Sequence, residues 1–271
     1  MRILPEVLPI EGAAPKMAQM FQLCRSRQKL ICLSVTSVYD TDLCLYLQVV
    51  RMKVLGINSS PRGERSQTLR LVRAALDGAR SEGAEVEMVD VCKLRIEYCN
   101  ACGVCYAKGE CTHKDDFNQI YKKILECDGF VIGSPNYFRS VTAQLKTLID
   151  RMADAVHCQL LLGKYGCAVA TAGGQAYDEV LDYLGRIIVG FGASYVGGAG
   201  GAPAIPGSME DAEKRARELG VDLVHAITER RRYPEQDRVH DEMKSRFKAL
   251  VSMNRDAWTH EYEYWKSKGW L

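Results

Sequence analysis

Cys99, Cys102, Cys105 and Cys111 fall within thirteen residues of the run YCNACGVCYAKGECTHKDD (98–116). Thiols crowded this closely hold an iron–sulfur cluster, hold zinc, or cycle as a redox dithiol. The pattern C-x2-C-x2-C-x5-C shares its first two intervals with ferredoxin-type loops, where tight turns deliver successive thiolates to the corners of one cubane. Its last interval is longer, and no proline follows Cys111. Gly103 and Gly109 supply the turn freedom such a loop demands. Structural zinc sites more often join two ligand pairs from separate segments. A C-x-x-C dithiol, which occurs twice here, would leave two cysteines without work. The spacing favours a 4Fe–4S cluster, with zinc and dithiol chemistry as its rivals. His113 follows at once and reads as a surface loop histidine rather than a ligand. Cys92, Cys127, Cys158 and Cys167 lie in or beside predicted strands and helices and read as small buried residues.

A second set of chemistry-bearing residues is spread over three loops. NSSPRGERSQT (58–68) offers the hydroxyls of Ser59, Ser60, Ser66 and Thr68, the Arg62 guanidinium, Gln67 and the free N–H groups of a helix start. Those are the parts of a phosphate site. Neither G-x-x-x-x-G-K-[ST] nor G-x-G-x-x-G stands at this turn, so the two common nucleotide loops are excluded there. SPNYFRSVTAQLK (134–146) brings Pro135, Asn136 and the flat faces of Tyr137 and Phe138. TAGGQAYDE (171–179) brings Thr171, Gly173 and Gly174, where backbone can approach a planar ligand. Each loop alone is equally a capped or tight turn. Together, as phosphate grip, aromatic wall and glycine floor, they suit a phosphorylated planar ring, and FMN fits best.

The elements that must position these loops alternate from Met52 onward. Strands are predicted at 52–58, 84–91, 129–135, 164–173 and 193–201, the last weakened by its glycines. Helices are predicted over 66–83, 115–128 (with Asp115 as the cap), 140–156, 177–192 and 209–231. This alternation implies an α/β fold, a doubly wound five-stranded parallel sheet in the flavodoxin-like order 2-1-3-4-5. All three flavin-type loops then leave the carboxyl edge, where open α/β sheets bind ligands. The cysteine loop follows the second strand, neighbour of the first, and is expected at that same edge. A further helix beyond Pro234 and the tail HEYEYWKSKGWL form a C-terminal extension, 233–271, that could cover a neighbouring surface or join a subunit contact. Residues 1–51 show no clear period and carry scattered Cys24, Cys32 and Cys44. They read as an extension outside the 52–232 domain: a disordered segment from an upstream start, or an arm packed on the domain.

Composition narrows the function classes. A chain of 271 residues, 47% hydrophobic and 26% charged, is an ordinary globular protein rather than a disordered one. A net charge of +2 gives no footprint for nucleic acid or an anionic membrane. No apolar run reaches bilayer length, and the first residues carry charges and prolines where a secretory signal needs an apolar core. A cytoplasmic address is expected, where thiols stay reduced.

The runs SSPRGERSQTLRLV, SPNYFRSVTAQLKTLIDR and TAGGQ resemble the three signature segments of the NADPH-dependent FMN reductase group of flavodoxin-like proteins, over about residues 52–200. The resemblance implies that Ser60, Arg62, Ser66 and Thr68 hold the FMN phosphate. It also implies that Pro135, Asn136, Tyr137, Phe138, Thr171, Gly173 and Gly174 border the isoalloxazine. Gln67 stands where that group often has Asn, and Arg139 where a small residue is common. CNACGVCYAKGECTHKDD resembles the compact cysteine motif of the iron–sulfur flavoproteins of anaerobic archaea and bacteria. That likeness implies a 4Fe–4S cluster on Cys99, Cys102, Cys105 and Cys111 beside FMN, in a homodimer or larger assembly. The expected function is an FMN-dependent oxidoreductase passing electrons between FMN and the cluster, fed by ferredoxin or NAD(P)H. Its rival is a cluster-free NAD(P)H-dependent FMN or quinone reductase with redox-active or zinc-bound cysteines. No catalytic acid–base pair is evident, and no nicotinamide fingerprint.

Overall fold

Lys53–Asn58 (KVLGIN) is buried from its second residue onward, as a central strand covered on both faces must be. It is β1 of the computed structural model, which describes residues 52–271; the expectations for 1–51 lie outside the described residues. β2 (Glu85–Asp90), β3 (Gly129–Pro135), β4 (Tyr165–Thr171) and the glycine-rich β5 (Ser194–Gly201) complete the sheet. All pairs are parallel and the order is β2-β1-β3-β4-β5, the flavodoxin-like arrangement expected.

Strand side chains alternate between two helical layers. Leu55, Ile57, Phe130, Ile132 and Ala168 meet α3 (Phe117–Glu126), α4 (Ala143–Arg151) and α6 (Tyr177–Gly190). Val54, Val131, Cys167 and Val169 meet α1 (Gln67–Ser81) and α7 (Ser208–Glu229). α1 and α7 cross with backbones in contact: a Cβ on Gly220 would lie 1.9 Å from the Ala75 carbonyl oxygen, and one on Gly78 2.0 Å from that of Arg217. Only glycine fits at this crossing.

The helix predicted over 140–156 is two. Tyr137 and Ser140 exchange backbone hydrogen bonds of 2.9 and 3.1 Å, which holds Ser140 in a turn. Thr142 then caps α4 by accepting from Leu145 N–H. Met152, at φ −93° and ψ 33°, separates α4 from α5 (Ala153–His157). The cysteine loop carries one short helix, α2 (Val104–Lys108), flanked by Gly103 and Gly109 at φ +70° and +76°.

Beyond the sheet, α8 (Pro234–Met253) and α9 (Thr259–Ser267) fold back on the same chain. Trp265 is buried with Cys158, Phe247 and Val251. The aromatic tail therefore packs within its own chain, over α5 and α2, and the described residues, 52–271, form one compact unit. Cys127, Cys158 and Cys167 are buried as expected; Cys92 is only half-buried, because it sits in the exposed turn after β2. Among the described residues, no helix is long and apolar enough to cross a membrane.

Candidate functional site

β1 ends in the phosphate-type loop, and most of its hydroxyls are buried. Ser59 N–H and Oγ–H both donate to the Gly133 carbonyl, at 3.0 and 2.8 Å, pinning β1 to β3. Ser66 caps α1 by accepting from Leu69 N–H at 3.0 Å. Thr68 and Thr171 share a buried hydrogen bond of 2.6 Å, tying the first loop to the third. Ser59 and Ser66 thus shape the loop, while Ser60, the exposed Arg62 and the first N–H groups of α1 remain to grip an anion. Two buried polar atoms here lack a partner, Asn58 Nδ2 and Gln67 Oε1. Asn58 Nδ2, a donor at the end of β1, suits an anionic ligand; Gln67 Oε1, at the start of α1, is an acceptor and does not.

The aromatic loop is held from below. Asn136 N–H donates to the Thr171 carbonyl and its Nδ2 to the Ala176 carbonyl, both at 2.6 Å, while Oδ1 accepts from Arg139 N–H at 2.8 Å. This frame holds Phe138 and Arg139 at φ +50° and +65°, strained for side-chain-bearing residues. Tyr137 and Phe138 are presented outward, Phe138 fully exposed. Arg139 forms a bidentate pair with Glu179 at the start of α6, Nε to Oε2 at 2.7 Å. Across from it, a Cβ on Gly173 or Gly174 would meet nothing within 4 Å. The glycine floor is open, as a flat ligand requires.

Cys99, Cys102, Cys105 and Cys111 line one concavity, together with His113, Tyr106, Asp150, Arg151 and Ala153. All are free thiols. Among the described residues, no three His, Cys, Asp or Glu side chains converge to hold a single metal ion. A zinc tetrahedron with bonds of about 2.3 Å would gather its sulfurs to about 3.8 Å from one another. A cubane instead binds each thiolate at a different iron, and four thiols lining one hollow are the donor set it needs. Burial, then the negative charge of Asp154, pushes the Cys105 thiol up to about 12. His113, expected at the surface, stands in the wall of the hollow, its Nε2 buried without a partner.

The expected common edge needs correction. β2 does end beside β1, Asp90 opposite Asn58. The loop then runs away along α4, and Arg151 Nη1 donates to the Glu97 carbonyl at 2.8 Å. Thr142, at the other end of α4, donates its hydroxyl to the Ser59 carbonyl at 3.0 Å. Phosphate loop and cysteine hollow therefore stand at opposite ends of α4, whose nine residues span about 14 Å.

Two supports of the hollow carry no local sequence signal. Arg151 and Asp115 form a buried ion pair, side chains 1% and 0% exposed, with Nη1 to Oδ2 at 2.8 Å and Nη2 to Oδ1 at 3.2 Å. Asp115 also accepts from the N–H of Glu97 and of Phe117, so it anchors the cysteine loop to the start of α3, although the cap position falls one residue later than expected, at Asp116. Burial opposes its ionisation, yet Arg151 and the two amides hold the carboxyl down at about 2. Beneath α2, buried Glu261 of α9 lies 3.2 Å from His157 Nδ1. The Tyr106 ring packs against both His157 and Trp258, at 4.9 and 4.7 Å, and those two rings stack on each other at 5.0 Å. Thr259 donates to the Ala107 carbonyl at 3.0 Å. The C-terminal extension is thus the floor of the cysteine loop.

The family model described as NADPH-dependent FMN reductase matches residues 52–204. An iron–sulfur flavoprotein of Archaeoglobus fulgidus is 36% identical over 222 residues, covering 81% of this chain and all of that protein. One of Methanocaldococcus jannaschii is also 36% identical, over 65% of this chain and 97% of its own. Among solved structures, a flavone reductase superposes with a TM-score of 0.54 at 21% identity, covering 65% of this chain and 63% of its own. An FMN-dependent NADH-azoreductase of Bacillus anthracis gives 0.52 at 15% identity, covering 64% of this chain and 99% of its own. These structures share the fold. The chain belongs to the NADPH-dependent FMN reductase family, among its iron–sulfur flavoproteins, and is a flavoprotein oxidoreductase.

Proposed function

We propose that this oxidoreductase relays electrons between FMN at the carboxyl-edge loops and a 4Fe–4S cluster on Cys99, Cys102, Cys105 and Cys111. The observation that carries the reading is that all four thiols line one hollow, buttressed by the buried Arg151–Asp115 pair. When bound, FMN exchanges two electrons with a donor, and a cluster passes them singly.

The residues divide the work. Ser60, Arg62, Gln67 and the N–H groups of Gln67 and Thr68 would hold the phosphate dianion at the positive end of α1. Ser59, Ser66, Thr68 and Thr171 keep that loop in shape through the hydrogen bonds they make with the chain. Pro135, Asn136, Tyr137 and Phe138 would border the ring over the floor of Gly173 and Gly174, excluding water from one face. The separation of the two sites along α4 favours a homodimer or larger assembly that brings one protomer's thiols toward the flavin loops of its partner. Ferredoxin or NAD(P)H is the donor class consistent with this chemistry, and a reduced cytoplasm suits the free thiols.

A second reading has a specific basis: a protein of Methanosarcina barkeri named NAD(P)H dehydrogenase (quinone) is 27% identical over 177 residues. Under it the cysteines hold zinc or nothing, and NAD(P)H bleaches the flavin directly. Anaerobic purification with iron, acid-labile sulfide, zinc and FMN quantified in one sample tests both. Iron and sulfide stoichiometric with FMN support the relay; zinc or bare thiols with rapid bleaching by NAD(P)H support the second reading.

A further inference from the structure

Arg151 is the last residue of α4, and its guanidinium is buried, with Met152 and Asp154 buried beside it at the turn into α5. Both of its terminal nitrogens donate. Nη1 donates to the Glu97 carbonyl and to Asp115 Oδ2, both at 2.8 Å, and Nη2 donates to Asp115 Oδ1 at 3.2 Å. Its Cζ sits over the Phe117 ring, 4.4 Å from the centre. The third nitrogen is different: Nε is buried and has no acceptor. Native proteins seldom leave a buried N–H unused. Arg151 lines the cysteine hollow, where Cys111 faces the guanidinium.

We infer that Arg151 donates its Nε–H to sulfur in this hollow, that of Cys111 or the sulfide beside it, and that with Asp115 it sets the reduction potential of the group the thiols hold. This inference rests on the cluster reading above. Hydrogen bonds to sulfur, and positive charge near a cluster, favour its more negative, reduced state and raise its potential. Arg151 supplies a donor whose direction is locked by two other nitrogens. Asp115 cancels most of the accompanying charge, so the pair delivers the bond with little net field. Replacing Arg151 by Lys keeps the charge for Asp115 but removes the planar third donor. Replacing Asp115 by Asn keeps an acceptor and releases the positive charge toward the thiols.

The test uses the full chain purified anaerobically: wild type, Arg151→Lys and Asp115→Asn. Iron, sulfide and FMN are quantified, and redox titration is followed by electron paramagnetic resonance, with the flavin couple of each sample as internal reference. The expected result is a cluster potential shifted negative in Arg151→Lys and positive in Asp115→Asn, with the flavin couple unmoved in both. Loaded variants that both keep the wild-type potential overturn the inference and reduce the pair to a structural strut. Should Arg151→Lys fail to fold or load, Asp115→Asn decides alone: a positive shift supports the inference and an unchanged potential overturns it. Wild-type protein without iron and sulfide instead defeats the cluster reading itself.

Discussion

Removing the Asp115 carboxylate should unseat the cysteine loop from the domain. That group accepts from Arg151 Nη1 and Nη2 at 2.8 and 3.2 Å, from Glu97 N–H at 2.9 Å and from Phe117 N–H at 3.1 Å. Its partner guanidinium is 1% exposed. Asp115→Ala therefore strands a buried charge and two amides, a loss of about 3–5 kcal/mol for a broken buried pair. In a unit of this size that lowers Tm by about 10 °C. The acid limb gives an independent check. A carboxyl held at about 2, against its ordinary 3.8, favours the folded state wherever it is ionised. Its contribution, about 2 kcal/mol at 1.4 kcal/mol per tenfold change in proton affinity, is complete above about pH 4 and lost as pH falls toward 2. Urea denaturation followed by circular dichroism at pH 7, 4 and 2.5 measures both effects. Wild type should lose somewhat more than half of that increment between pH 4 and 2.5, and Asp115→Ala should lack it. A variant within 1 kcal/mol of wild type at pH 7 would refute the reasoning.

Other perturbations separate the parts of the molecule. Gly109→Val adds a Cβ within 2.4 Å of the His260 ring at a φ of +76° and should push α2 off α9; iron per chain falls while FMN per chain holds, read by metal and flavin assay. Gly220→Ala places a methyl 1.9 Å from the Ala75 carbonyl oxygen and should part α1 from α7, at a loss of about 3 kcal/mol visible in Tm. Thr68→Val leaves the buried Thr171 hydroxyl without its 2.6 Å partner, lowering stability by about 1–2 kcal/mol in urea denaturation and weakening FMN retention on dialysis. Arg139→Ser frees Glu179 at the exposed edge of the ring site; Tm stays unchanged, and stopped-flow bleaching of the flavin by NAD(P)H becomes faster if the bidentate pair guards access.

The sheet was legible because a parallel strand buried on both faces writes its apolar residues consecutively, as VLGI in β1 and FVI in β3 do. Even β5, with four glycines in eight residues, kept its place through its pairing with β4. The helix at 140–156 was misread as continuous because apolar spacing runs through Met152, while the turn made by Tyr137 and Ser140 is a pairing that spacing does not report. The loops that follow the strands were legible too, since each opens where a buried run ends. The supports were not. Arg151 and Asp115 are 36 positions apart, and each alone reads as an ordinary helix-end charge. Glu261 sits in HEYEYWK, a mixed stretch that gives no sign of a fully buried carboxylate facing His157. Nor does strand order reveal that the cysteine loop, after leaving beside β1, travels the length of α4 before closing on itself.

The central claim is that Cys99, Cys102, Cys105 and Cys111 hold one cluster in a protein that separately binds FMN. Anaerobically purified Cys105→Ala, compared with wild type for iron, sulfide and FMN, tests it most directly. The account predicts wild type with a 4Fe–4S complement for each FMN, and a variant that loses iron and sulfide while retaining FMN and its circular dichroism spectrum. Wild type carrying zinc or no metal, or a variant that keeps its full iron content, would contradict it.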